Sequence, residues 1–191
     1  MKKISIILVL FLCTITYSHS EIKRIFSGNE NAKIVIIVYE SLTCSHCANF
    51  HKDVYPLLKK DYLDTGLAKI EFRHFPLDMA ALNASKIAQC KPNKSLEILE
   101  KLYSNQQSWI KGSSIEQIND NLKKFIKNHN FELDFEKCID NKQIEDFILN
   151  DRIEGTQNFN VNATPTIIIN NEKFEKSLNY KNLKKSLEKL I

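Results

Sequence analysis

The run AKIVIIVY, Ala32 to Tyr39, constrains the fold of this chain more than any other stretch. It is almost wholly β-branched, with no polar alternation, so it reads as a strand buried on both faces. Such a strand must be covered on both sides, the layered arrangement of an α/β domain. A few residues later the period changes. Cys47, Phe50, Val54, Leu57, Leu58 and Tyr62 recur every three or four residues, which predicts a helix from just after Thr43, kinked at Pro56.

The remaining pattern is a strand at Leu67–Phe75, a long region without strand signals, and a return of strand signals at TPTIIIN (Thr164–Asn170). Between them, apolar residues fall at helical spacing over 79–90, 95–107, 115–128 and 143–153. Asn170-Asn171 reads as a hairpin turn into Lys173–Lys176, and an amphipathic helix over 179–190 closes the chain. The expected architecture is therefore a four-stranded sheet with flanking helices, divided between residues 21–77 and 153–191, with an inserted helical domain over 78–152.

Residues 1–20 read as a cleaved export leader. Lys2 and Lys3 precede the apolar run Ile4–Cys13, and Ser18 and Ser20 offer small residues for cleavage. The run is too short for a membrane span of ~20 residues; the alternative to cleavage is an uncleaved or lipid-modified anchor. Loss of the leader, which carries two lysines and no acids, lowers the formal charge from +4 to +2. That near balance, with no concentrated basic face, argues against nucleic-acid binding. Export also leaves four cysteines, Cys44, Cys47, Cys90 and Cys138, and an oxidising compartment permits disulfides among them.

The chemistry concentrates in ESLTCSHCANFH, Glu40 to His51. Cys44, Cys47 and His51 make half of a zinc pattern, but no second knuckle follows, so no metal is expected. A cysteine hydrolase needs a histidine base, and His46 is badly placed for that beside Cys44. The dithiol reading fits best. A C-x-x-C at a strand-to-helix junction sets its first sulfur at a helix N-terminus, where unpaired N–H groups and the helix dipole favour a thiolate. The second cysteine lies one turn later, within disulfide reach. Lowering a thiol pKa by ~4 corresponds to roughly 120 mV toward a more oxidising disulfide. Thr164-Pro165, directly before a buried strand, is where a cis bond is expected.

These features together, CSHC after a buried strand, helices after Phe75-Pro76, and NFNVNATPTIIIN before the last hairpin, resemble the DsbA-like thiol:disulfide oxidoreductases of the thioredoxin superfamily. The resemblance covers about residues 25–190 and implies a thioredoxin-like fold. It further implies a monomeric periplasmic enzyme without cofactor that introduces disulfides into reduced, newly exported proteins and is reoxidised by a DsbB-like membrane partner. Cys44 would then be the nucleophilic sulfur and Cys47 the resolving one. Ser45 and His46 would tune the potential, and Thr164 and Pro165 would form the substrate-facing loop. Two departures matter. Ser45 stands where many relatives carry Pro, and Val38 stands where many carry an acid. Glu40, two residues on and of the same strand parity, is either a substitute proton relay or a solvated loop carboxylate. In that compartment Cys90 and Cys138 are expected to be bonded, the alternative being two buried thiols.

Trp109 is expected in the core, His51 one turn beyond Cys47, and His129 at a solvated helix end. The rival readings are a disulfide isomerase or reductase of the same fold, and a non-enzymatic metal-binding or surface protein built on it.

Overall fold

A computed structural model describes residues 22–191, so the leader expected over residues 1–20 lies outside the described residues. Five strands form one mixed sheet in the order β1-β3-β2-β4-β5. They are β1 (Ile25–Gly28), β2 (Ile34–Glu40), β3 (Ala68–His74), β4 (Thr166–Ile169) and β5 (Glu172–Lys173). β2 is central, parallel to β3 and antiparallel to β4. Its two faces join different cores, as its lack of alternation demands. Ile34, Ile36 and Val38 pack with Cys47, Phe50 and Leu58. Ile37 and Tyr39 pack with Phe75, Val161 and Ile168. Glu40 shares the parity of Val38, and the register sets it opposite His74 on β3.

The helix after β2 is not a simple one. α1 (Ser45–Asn49) gives way to a π-helical turn at Phe50–Val54, then α2 (Tyr55–Leu58), then a second π-helical turn at Lys59–Leu63. The N–H groups of Tyr55 and Asp64 each donate to a carbonyl five residues back, those of Phe50 and Lys59. The expected disturbance at Pro56 is corrected accordingly: Pro56 sits in the first turn of α2, where a missing N–H costs little, and the irregularity lies in the π turns on either side.

Six helices lie between β3 and β4: α3 (Met79–Gln89), α4 (Ser95–Ser104), α5 (Gln106–Trp109), α6 (Ile115–Asn128), α7 (Phe135–Ile139) and α8 (Lys142–Phe159). α9 (Tyr180–Leu187) ends the fold. Their apolar faces continue the sheet core, with Ile87, Leu99, Leu102, Trp109 and Phe125 in the same cluster as Val38 and Phe50. Trp109 is fully buried and donates its indole N–H to the Leu102 carbonyl. Cys90, at the end of α3, is disulfide-bonded to Cys138 of α7.

Besides Pro56, the structure departs from the sequence reading at five further places. β1 is a fifth strand that the pattern did not show, because only Ile25 of its four residues is buried. α7 is five residues long, too short to display a period. The helix expected over 95–107 breaks at Asn105 into α4 and α5. β5 spans two residues rather than Lys173–Lys176. α8 runs on to Phe159 and ends at Asn160 in the left-handed region.

α8 covers the sheet face opposite α1. Arg73 donates to the Tyr39 hydroxyl (3.2 Å) and to Glu154 (2.5 Å), and Arg24 pairs with Asp151 (3.2 Å). Gly155 makes that approach possible, since a Cβ there would lie 2.7 Å from a carbon of the Tyr39 ring. Alanine gains about 1 kcal/mol in helix propensity, but overpacking a closed core costs about 1–3 kcal/mol, and the fully buried Tyr39 has little room to yield. Gly155→Ala is therefore expected to be net destabilising, by up to about 2 kcal/mol. Urea unfolding measures this directly, and an unchanged or raised midpoint would contradict the packing account.

Candidate active site

Cys44 caps the N-terminus of α1 in an extended conformation (φ −77°, ψ 120°), and its carbonyl accepts from Ala48 N–H at 3.2 Å. Its side chain is half-buried, whereas Cys47 is completely buried. Both are free thiols. The Thr164–Pro165 peptide is cis, and Cys44 Sγ lies 3.3 Å from the Thr164 carbonyl, to which the thiol donates. Thus two segments 120 residues apart meet at one sulfur. Ser45 and His46 are exposed at the helix start. A cleft of about 480 Å3 beside them is lined by His46, Phe50, Thr164, Pro165 and Leu178.

The two sulfurs are chemically opposite. Cys44 is pulled down to about 5, chiefly because the Cys47 thiol donates to it. Burial opposes that effect, while the Thr164 side-chain hydroxyl and the backbone N–H groups of Cys47 and His46 reinforce it. The Cys47 thiol is pushed far above its usual range by burial, then by its bond to Cys44 and the charge of Glu40. At neutral pH the pair therefore holds one negative charge, on the outer sulfur. Such divergence between neighbouring groups leaves a half-buried outer thiolate beside a buried thiol.

The turn leading to Cys44 is held from the helical block. Gln106 on α5 is buried and donates to the carbonyls of Leu42 (2.8 Å) and Cys44 (3.1 Å). Thr43 donates to Asp78, which also caps α3 through Ala81 N–H. Beneath Cys47, Glu40 is 2% exposed and bonded to His51 Nε2 at 2.8 Å, so it is no solvated loop carboxylate. His51 in turn stacks on Tyr103 of α4, with ring centroids 4.0 Å apart.

Sequence reasoning left Gln106 and Tyr103 unassigned and gave His51 no partner. The spacing of His51 from Cys47 marks a shared helix face, but nothing local in the sequence announces Gln106 or Tyr103. Cys90 and Cys138 lie away from this site, in their own disulfide. Among the described residues, no group of three or more His, Cys, Asp or Glu side chains is placed to hold a metal ion.

A family model described as Thioredoxin matches residues 20–189. The crystal structure of Wolbachia pipientis alpha-DsbA1 superposes with a TM-score of 0.75 at 30% identity, covering 86% of this chain and 89% of that one. The chain is a DsbA-like member of the thioredoxin family. Disulfide bond formation protein D of Bacillus subtilis is 26% identical over 172 residues, 85% of this chain and 74% of that protein. A Rickettsia bellii relative named as a protein-disulfide oxidoreductase is 42% identical over 64 residues. That match takes in 34% of this chain and spans only 25% of the relative's length. On this DsbA-like frame, the dithiol and the cis-proline loop occupy one surface.

Alkylation of the reduced protein by iodoacetamide should titrate with a midpoint near the Cys44 value of about 5, and Cys47 should stay unmodified. Because Cys44 is depressed only in the folded protein, its thiolate stabilises the reduced form fully above the unfolded thiol value. That stabilisation is lost as pH falls through about 5. The unfolding midpoints of reduced and oxidised protein should accordingly converge as pH is lowered from neutral to about 5. A gap independent of pH would contradict the assignment.

Proposed function

We propose that this chain is an exported thiol:disulfide oxidoreductase that donates the Cys44–Cys47 disulfide to reduced client proteins. The observation that carries the reading is the division of labour between the sulfurs: an outer Cys44 held near 5 and a buried Cys47 held high. A client thiolate attacks Cys44 Sγ, the Cys44–Cys47 bond breaks, and Cys47 departs with the electron pair and takes up a proton. A second client thiolate then attacks the client sulfur of the mixed disulfide. The client leaves oxidised, and Cys44 is released as the thiolate that its surroundings favour. A stabilised leaving thiolate makes the forward direction favourable, which is the property of an oxidant rather than a reductant.

The names of the Bacillus subtilis relative and the Rickettsia bellii relative, disulfide bond formation and protein-disulfide oxidoreductase, support the same chemistry. Extended clients would lie in the cleft by Pro165, pairing with the backbone around Thr164, while Ser45 and His46 adjust the potential. Residues 1–20 would direct export to the periplasm, where a DsbB-like membrane protein would reoxidise a monomeric enzyme. Among the described residues, no helix is long and apolar enough to cross a membrane.

Oxidative refolding of a reduced, unfolded secreted protein tests the reading. The oxidised wild type should accelerate disulfide formation stoichiometrically, and Cys44→Ser should abolish the effect. An equal rate with the variant would remove Cys44 from the chemistry. Acceleration seen only with scrambled disulfides would favour an isomerase.

A further inference from the structure

The turn between β2 and α1 has to present Cys44 in one orientation, and little within it does so. The Cys44 N–H donates to the Ser41 carbonyl at 3.0 Å, closing the turn over Leu42 and Thr43. No side chain caps the start of α1, and its first turn carries no acid. Leu42 is 1% exposed, so its carbonyl cannot turn to water and needs a partner inside the protein.

Gln106 is that partner. Its Nε2 donates to the Leu42 carbonyl at 2.8 Å and to the Cys44 carbonyl at 3.1 Å. A primary amide nitrogen carries two hydrogens, and both are engaged here, one on each side of Thr43. The Cys44 carbonyl also accepts from Ala48 N–H at 3.2 Å, so the clamp grips the first hydrogen bond of the helix itself. By contrast, the Thr43 hydroxyl meets Asp78 in an exposed bond, which water can replace.

Gln106 is itself 4% exposed, at the start of α5 and 62 residues beyond Cys44. α5 is anchored in turn by Trp109, which is fully buried and donates to the Leu102 carbonyl. Burying an amide is costly unless it is bonded, and packing alone would be met by an apolar side chain of similar volume. The two bonds, not the volume, therefore account for a glutamine at this position. They act on the backbone of the residue whose sulfur does the chemistry. Cys44 Sγ lies against Thr164 and receives bonds from the Cys47 thiol and from the N–H groups of His46 and Cys47. Hydrogen bonds weaken steeply as their angles close from linear, so these depend on how the turn holds Cys44.

We propose that Gln106 is a positioning residue for the exchange reaction, its amide fixing the Leu42–Cys44 turn so that Cys44 Sγ stays aligned with the helix start and with Thr164. This rests on the exchange reading above. Alignment matters most in the reduced protein. There Cys44 carries the negative charge, and nothing covalent ties its sulfur to Cys47. In the oxidised protein the disulfide itself constrains Cys44, which carries no charge. Loss of the clamp therefore weakens the reduced form selectively, and a couple whose reduced form is weakened is a poorer oxidant. A residue of the helical block thereby sets how strongly the dithiol at the end of β2 oxidises.

The test compares the wild type with Gln106→Met and Gln106→Leu, both close in volume and both without a donor for the two carbonyls. In equilibrium with glutathione at neutral pH, each variant should be about tenfold less oxidising, or about 30 mV in a two-electron couple. The Cys44 thiolate titration, followed by its ultraviolet absorbance, should move upward by about one pH unit. In urea, the reduced variants should lose more stability than the oxidised ones. Equal losses in both forms, with the glutathione constant unchanged, mark a packing residue and overturn the positioning role alone. A wild type that does not exchange with glutathione overturns the exchange reading, and the positioning role with it. Should both variants misfold, 15N NMR of the wild-type side-chain amide decides the matter. The Gln106 resonance must shift as Cys44 titrates in the reduced protein, and a resonance that stays still overturns the role.

Discussion

Two thiols on one helical turn are useful for exchange only if their surroundings differ, and β2 creates that difference. Because both faces of β2 are buried, the chain leaving it at Glu40 is still inside the protein. The turn Ser41–Thr43 carries it outward just far enough for Cys44 to reach the mouth of α1, half-exposed. One turn later Cys47 is back against Val38 and Phe50, fully enclosed. A one-residue shift in this exit would move Glu40 to the opposite sheet face, since strand side chains alternate. The strand thus sets burial, and burial sets which sulfur carries the charge.

The helical block does more than enlarge the core. Gln106 clamps the carbonyls on either side of Thr43, and Asp78 takes the Thr43 hydroxyl, so the turn that presents Cys44 is fixed from two helices outside the sheet. Tyr103 from the same block forms the wall against which His51 stacks. On the far face, Gly155 lets α8 close on Tyr39, so the sheet beneath the dithiol is covered on both sides. Positioning of the two sulfurs is therefore distributed over segments far apart in the chain.

What was legible in the sequence follows from how local each signal is. The buried strand, the dithiol and the proline before β4 each announce themselves within a few residues, whereas the family resemblance rests on their order along residues 25–190. Glu40 could be placed on a strand face by parity, but whether that end of the strand was covered depends on where α4 packs, which no local pattern reveals. His51 carried the right spacing from Cys47 without any hint of its partner. Gln106 looks like one more polar helix residue, and only the tertiary fold turns it toward two backbone carbonyls. β1 escaped because an edge strand with a single buried side chain has almost no hydrophobic pattern to read.

The central claim is that the outer sulfur is stabilised as a thiolate strongly enough to make the disulfide an oxidant. The reduction potential of the Cys44–Cys47 couple, measured by equilibration with glutathione, addresses it most directly. The account predicts a value well above that of thioredoxin, in the range of roughly −180 to −120 mV. A value near −270 mV, roughly that of a dedicated reductant, would contradict it.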